Sequence, residues 1–262
     1  MYDYKNLLVH TAKDGITTVT INRPKYLNAL DTLTLEEMKD CFNRLSNDSD
    51  TKSVLITGAG DKAFVAGADL GAMSKMTVTE GRCFSVLGHA VYNAIERIPV
   101  AVVAAVNGYA LGGGCELALA CDFRIASENS LFGQPEVNYG IIPGFGGSQR
   151  LARLIGTGEA KEMIYTGSMI DAQEALRIGL INRICKKEEL IPVCEGILRK
   201  IMAKAPLAIA AAKNAINTGM NMDLRSALSY EAQVFGSCFA TKDQKEGMAA
   251  FLEKRKPQFT AQ

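Results

Sequence analysis

The clearest hydrophobic pattern in the chain is the unbroken apolar run at residues 100–106, rich in β-branched side chains and without alternation. Such a run predicts a strand covered on both faces, as parallel strands are. Residues 17–21 form a shorter β-rich stretch, stopped by Asn22, Arg23 and Pro24. A further strand is predicted at 53–57, ending at Gly58-Ala59-Gly60, and another with its loop at 63–70. Short strands at 123–126 and 130–132 complete the set. Helical signals lie between them. Asp31 or Thr34 can cap a helix reaching about residue 45, and Thr34 with Glu37 fits a capping box. Thr77 with Glu80 opens a helix to about residue 97. Asn107-Gly108 turns the chain, and Gly112-Gly113-Gly114 leads into an apolar helix at 115–120. After Arg150 the pattern is helical: 158–165, 171–178 with Asp171 as cap, 188–203, 206–217, 224–239, and 241–256 opened by Thr241 and Gln244. Alternating strands and helices followed by a helical quarter predict an α/β fold with a helical C-terminal region. There is no fixed-period repeat and no low-complexity linker, so the two parts are expected to pack together.

Composition narrows the chemistry. The 262 residues are 48% apolar and 22% charged, which excludes a disordered chain. A chain of this size buries roughly three quarters of its unfolded surface. The formal net charge of +1 gives no electrostatic reason to expect a nucleic-acid partner. His10 and His89 are the only histidines, so histidine-rich metal sites and Ser/Cys–His nucleophile schemes have little to draw on. The seven cysteines are odd in number and lack a CxxC pair, which argues against a disulfide framework or a zinc knuckle. The first ten residues carry no apolar signal core, and a cytoplasmic protein with reduced thiols is expected. Residues 98–115 are uncharged and as long as a short membrane span, but Pro99, Asn107 and several glycines interrupt them and Glu116 follows. They predict a buried strand, a turn and a helix start, and no membrane association.

Glu116 is the most unusual residue. Its helical neighbours Gly112, Gly113, Leu119 and Ala120 are apolar, and no cation lies within helical reach. Two readings stand side by side. Desolvation would raise its pKa into the range useful for acid–base chemistry, or it is simply a first-turn charge favoured by the helix dipole. The glycine triplet before it has two readings as well. Free N–H groups at a helix start can hold an oxyanion, with glycines letting the ligand approach, or the glycines permit tight helix–strand packing. The P-loop spacing and GxGxxG after a strand are both absent. A second carboxylate, Glu136, follows Phe132-Gly133-Gln134-Pro135, and a loop dense in Gly and Pro runs from Gly140 to Gly147. Two carboxylates facing one pocket would push their pKa values apart, giving an acid and a base. Sequence spacing does not bring them together, and Glu136 alone reads as an exposed helix-start charge. A third small-residue stretch, Phe64-Val65-Ala66-Gly67-Ala68-Asp69-Leu70, leaves room for a ligand or marks a strand-to-helix turn capped by Asp69.

The run from Ala104 through Asn107-Gly108-Tyr109-Ala110-Leu111-Gly112-Gly113-Gly114-Cys115-Glu116 to Ala118 closely resembles the signature of the crotonase (enoyl-CoA hydratase/isomerase) family. Residues 63–69, 132–136, Ile21-Asn22-Arg23-Pro24 with Asn28-Ala29-Leu30, residues 143–150 and 250–256 match it too, in family order across almost the whole chain. The resemblance implies a crotonase (ClpP-like) spiral of repeated ββα turns over residues 1–200. It also implies a C-terminal helical region, 201–262, that mediates trimer formation, with two trimers stacking into a hexamer. The substrate would be an acyl-CoA thioester, with coenzyme A part of the substrate and no separate cofactor or metal. By position, the N–H groups of Ala68 and Gly113 would form an oxyanion hole. Glu116 and Glu136 would hold the water that adds to C3 of a 2-enoyl thioester, with Glu136 protonating C2, Glu116 activating the water and Gly144 close to it. Ala66, Asp69 and Leu70 would border the substrate. Lys25, Tyr26 and Leu27, with Phe251 and Lys254, match the adenine and phosphate contacts, although the family often has a small residue where Tyr26 stands.

Both glutamates are present, which favours reversible hydration over the family's isomerase, hydrolase, decarboxylase and dehalogenase chemistries. Residues 72–97 would wall the acyl pocket. Phe84, Leu87 and Tyr92 are bulky enough to close it around a four-carbon chain, or they face the core of a helix. Likeness to short-chain bacterial members points to crotonyl-CoA. The alternatives are an enoyl-CoA isomerase, a hydratase for an unusual acyl group, and a non-catalytic CoA- or RNA-binding member.

Overall fold

A computed structural model describes residues 3–262. Residues 7–98 build outward from paired strands. β1 (Leu7–Thr11) and β2 (Ile16–Ile21) form an antiparallel pair, followed by α1 (Thr32–Leu45), β3 (Ser53–Gly58), β4 (Ala63–Val65), α2 (Leu70–Met73) and α3 (Val78–Arg97). The chain continues through β5 (Ala101–Val106), β6 (Tyr109–Leu111), α4 (Gly113–Leu119), β7 (Phe123–Ser127) and β8 (Leu131–Gly133). Then come α5 (Gly147–Ile155), α6 (Thr157–Thr166), β9 (Met169–Asp171), α7 (Ala172–Arg177), β10 (Arg183–Cys185) and α8 (Leu190–Met202). The last helices are α9 (Pro206–Gly219), α10 (Leu224–Cys238) and α11 (Lys242–Leu252).

The strands fall into two sheets, one ordered β1-β2-β3-β5-β7-β10 and one ordered β4-β6-β8-β9. The middle of the chain is therefore a repeated unit. β3, β5 and β7 enter the first sheet, and β4, β6 and β8 follow each of them into the second, before the chain turns into helix. This is the ββα spiral. Every residue of β3 and of β5 is buried, as expected of strands covered on both faces. In the second sheet β4-β6 and β6-β8 pair in parallel, so the three strands end on the same side.

The chain divides into two compact units. Among the described residues, one comprises 3–98 and 102–195 and holds both sheets apart from Ala101 of β5; the other comprises 99–101 and 196–262. In the second unit α9 packs on α10, and the terminal segment folds back on α11, where buried Asp243 accepts the N–H groups of Thr260 (2.6 Å) and Ala261 (3.0 Å).

Several expectations change. The helix α1 is capped by Asp31, whose side chain accepts from Thr34 N. Glu37 does not complete a box with Thr34; it accepts from the backbone N–H groups of Lys5 and Asn6 (both 2.8 Å), tying the start of β1 to α1. The Thr77/Glu80 box is complete. Thr241 caps α11, but the side-chain amide of Gln244 lies on Met248 Sδ, so no reciprocal box forms. β1, β6, β9, β10 and α5 lie outside the predicted elements. Helix α11 stops at Leu252, with Lys254 at φ 54°, short of the predicted residue 256. All seven cysteines are free, and no helix among the described residues is long and apolar enough to cross a membrane.

Candidate active site

The second sheet positions the chemistry. Ala68 follows β4, Gly113 follows β6 and Glu136 follows β8, so three loops from the same ends of neighbouring parallel strands converge. They border a cavity of about 870 Å³ in the first unit. Its wall includes Ala68, Gly113, Glu116, Glu136 and Gly144, together with Tyr26, Leu27, Ala66, Asp69 and Leu70.

The segment at Ala68 is held by an isolated parallel bridge. Leu30 N donates to Gly67 O (2.9 Å) and Asp69 N donates to Leu30 O (2.8 Å). In that alternation the Ala68 N–H is directed away from the Leu30 strand. The Gly113 N–H is the first of α4 and has no intrahelical partner. Two backbone donors with nothing to bind in their own elements therefore belong to residues lining the same cavity.

The three glycines do different things. Gly112 adopts φ 48° and ψ −121°, and a Cβ there would lie 2.6 Å from Glu136 Oε1. Gly113 lies against the Phe145 ring, and the Tyr92 hydroxyl donates to its carbonyl (2.5 Å). Gly114 carries the helix–strand packing, since a Cβ there would collide with the Val65 carbonyl. The packing reading of the triplet thus holds at Gly114.

Glu116 is 1% exposed, on the first turn of α4. Its Oε1 accepts from Phe145 N (2.8 Å) and Gly147 N (2.6 Å). Gly146 between them sits at φ 109°, a left-handed value that lets both N–H groups turn inward. Burial pushes the Glu116 carboxyl up to about 7, against the opposing pull of the Gly147 and Phe145 N–H groups and the Arg150 charge. Glu136, in the short 3₁₀ turn Pro135–Tyr139, is 9% exposed and not the surface charge its sequence suggested. Burial, reinforced by the Glu116 charge, pushes it up to about 7 as well. The fully buried Gln134 amide, oriented to donate, puts its nitrogen 3.1 and 3.2 Å from the two Glu136 oxygens. Two carboxyls poised near neutrality beside a pair of free N–H donors can hold a water, move protons and stabilise an oxyanion.

Lys25, Phe251 and Lys254 are not among the residues lining the cavity. Lys25 is exposed in the 3₁₀ turn Pro24–Tyr26 and is not part of the cavity wall. Phe251, 82% exposed, and Lys254 belong to the second unit. Of the three bulky α3 residues, Phe84 lines the cavity; Leu87 does not, and Tyr92 is spent on the Gly113 carbonyl. Sequence reasoning missed Arg23, whose guanidinium pairs with Asp31 (2.9 Å) and Asp69 (3.3 Å) and stacks on Tyr26. It also missed Gln134, Ser85, Tyr92 as a donor and Arg150, although Gln134 and Arg150 stand inside the Gly- and Pro-rich stretches. Among the described residues no group of His, Cys, Asp and Glu is arranged to hold a metal ion.

With this geometry in view, the relatives of the chain are informative. The enoyl-CoA hydratase/isomerase family profile matches residues 11–262. The chain is 53% identical over 245 residues to the short-chain-enoyl-CoA hydratase of Clostridium acetobutylicum, covering 93% of this chain and 94% of that protein. It is 51% identical over 256 residues to the crotonyl-CoA hydratase of Syntrophomonas wolfei, covering 98% of each. The crystal structure of an enoyl-CoA hydratase from Bacillus anthracis superposes with a TM-score of 0.95 at 41% identity, over 98% of this chain and 100% of that one. The spiral, the paired carboxyls and these likenesses agree: this chain has the crotonase fold and belongs to the enoyl-CoA hydratase/isomerase family.

Proposed function

We propose that the protein is a hydro-lyase that adds water reversibly to a short-chain trans-2-enoyl-CoA, with crotonyl-CoA as its substrate. The observation that carries this reading is the pair of buried carboxyls, Glu116 and Glu136, lining one cavity with Ala68 and Gly113. The names of the two relatives at more than half identity support it. The thioester carbonyl accepts from Ala68 and Gly113, so negative charge that develops on its oxygen is met by preset dipoles. Glu116, as carboxylate, takes a proton from the water as its oxygen bonds to C3. The C2–C3 π electrons move into the thioester, and Glu136, protonated, delivers its proton to C2. The addition is proposed to be syn, with both atoms arriving from the side of the two carboxyls. The water supplies the pair that bonds to C3 and the C2–C3 π pair takes the proton at C2, with no change of oxidation state overall, so the scheme calls for no redox cofactor or metal.

The exposed lining residues Tyr26 and Leu27, with Lys25 on the same turn, support a place for coenzyme A beside them. Exposed apolar residues on α9 and α10, including Ile216, Leu224, Leu228 and Phe235, support self-association through the C-terminal helices into trimers and then a hexamer. The seven free cysteines support a reducing compartment, and the cytoplasm is the one proposed.

The test is the ultraviolet absorbance of crotonyl-CoA mixed with purified protein, which falls as water adds across the conjugated double bond. Glu116→Gln and Glu136→Gln are each expected to lower kcat by roughly 10²- to 10⁴-fold with folding intact. Wild-type turnover in either variant sinks the mechanism, and double-bond migration without a hydroxyacyl product would redirect the assignment to isomerisation.

A further inference from the structure

The Glu116 carboxyl is gripped by a loop whose own support lies on a different helix. Phe145 N and Gly147 N bind its Oε1, and the carbonyl of the same Phe145 accepts from Arg150 Nη1 (3.0 Å). Arg150 is in turn anchored on α3. Its Nε and Nη2 form a two-pronged pair with Glu96 Oε1 (2.7 Å) and Oε2 (2.8 Å), and Nη2 also donates to Asn93 Oδ1 (2.9 Å). A Cβ on Gly146 would collide with Nη1, so the guanidinium packs directly on the left-handed glycine. Ser85, also on α3, donates to Gly144 O (2.5 Å), and the Phe145 ring lies edge-on to Phe84 (5.2 Å) and Tyr92 (5.8 Å).

We propose that Arg150 is a positioning residue for the water-activating carboxylate: it pins the Phe145 carbonyl against α3, and thereby aims the two N–H groups that hold Glu116. The proposal rests on the hydration reading for the role of Glu116, although the geometry it describes does not. A planar fork with several fixed donors suits this task better than a flexible ammonium, because Glu96, Asn93 and the Phe145 carbonyl are held at once. The cation also opposes the burial of Glu116 by charge. Other groups share that surrounding. Tyr92 faces the carboxyl from α3, Glu136 from its 3₁₀ turn and Cys115 from α4 itself. Tyr109 lies on β6, and β4 carries no titratable side chain. Arg124 of β7 is occupied at the other end of α4, on the carbonyls of Cys121 and Leu180.

The experiment compares Arg150→Met and Arg150→Lys with wild type by three readouts: kcat and KM for crotonyl-CoA across pH, thermal midpoint, and the titration of Glu116 in the free protein. The titration is followed by carboxyl ¹³C NMR, with Glu116→Gln identifying the resonance. Arg150→Met is expected to lower kcat by about 100-fold, the scale set by a misplacement near 1 Å, with KM moved far less. Its Glu116 midpoint should rise by about one pH unit, since an opposing charge and the aimed N–H groups are both lost. Arg150→Lys keeps the charge and loses the fork, so it should restore most of the midpoint and only part of kcat. Loss of kcat in Arg150→Met with an unmoved Glu116 midpoint and a lowered thermal midpoint makes Arg150 a packing residue and overturns the proposal; unchanged kcat does the same. If Arg150→Met does not fold, Arg150→Lys decides alone: a kcat at the wild-type level overturns the need for the fork. Should the wild-type protein leave crotonyl-CoA untouched, the hydratase reading falls, and the NMR midpoint still decides whether Arg150 governs Glu116.

Discussion

Glu116 and Glu136 both stand near 7 because burial penalises their charged forms, and their mutual repulsion means they titrate as a pair. The proposed hydration needs one ionised and one protonated, so kcat/KM is expected to follow a bell centred near neutrality. Steady-state hydration rates between about pH 5 and 9 check this. Stability carries the opposite signature. A carboxyl whose folded pKa is raised binds more protons in the native state than in the unfolded chain between its usual value of 4.5 and about 7. Stability is therefore full at acid pH and is lost as pH rises through that window. Glu116→Gln should remove much of that loss, stabilising the protein by something on the order of 2 kcal/mol at pH 8 and by little at pH 4.5. Thermal melts at the two pH values read the difference, and equal effects at both would refute it. At this scale Glu116 was legible in the sequence, because its helical neighbours are all apolar. Glu136 was not: its burial comes from Gln134, Gly112 and the cavity wall, which the residues beside it do not reveal.

Among the elements, the start of α4 is the most constrained. Gly114 meets the Val65 carbonyl of β4, so Gly114→Ala must push helix and strand apart. A cost of about 3 kcal/mol is expected, read as a lowered urea midpoint. Gly140→Ala, where a Cβ meets nothing, suffers only from its φ of 74° and should cost about 1 kcal/mol. Elements with local signals were readable. The capped α3 and the wholly apolar β5 were found from residues 77–97 and 100–106. Elements that exist only by tertiary pairing were not. β6 is three residues long and is held by ladders to β4 and β8. Helix α5 opens at Gly146 and Gly147 with no side-chain cap, so its beginning reads as loop. That loop-like opening supplies the N–H grip on Glu116, so the local signal failed where the backbone is shaped for the site.

For the whole molecule, the C-terminal helices leave Leu224, Leu228 and Phe235 more than half exposed, and such an apolar surface calls for a cover. On the proposed self-association, Leu228→Lys with Phe235→Lys is expected to reduce the mass measured by light scattering after size exclusion from an oligomer to a single chain. An unchanged mass would move the interface elsewhere. The spiral of the first unit has a consequence of its own. Ala68, Gly113 and Glu136 hang from β4, β6 and β8, adjacent strands held about 4.8 Å apart by their ladders. The spacing between the two backbone donors and the carboxyl is thus ruled by the pitch of main-chain hydrogen bonding, much as lines on a page are ruled before anything is written. Side-chain substitution can change what stands on each line. Only an inserted or deleted residue between a strand and its loop can move the line itself.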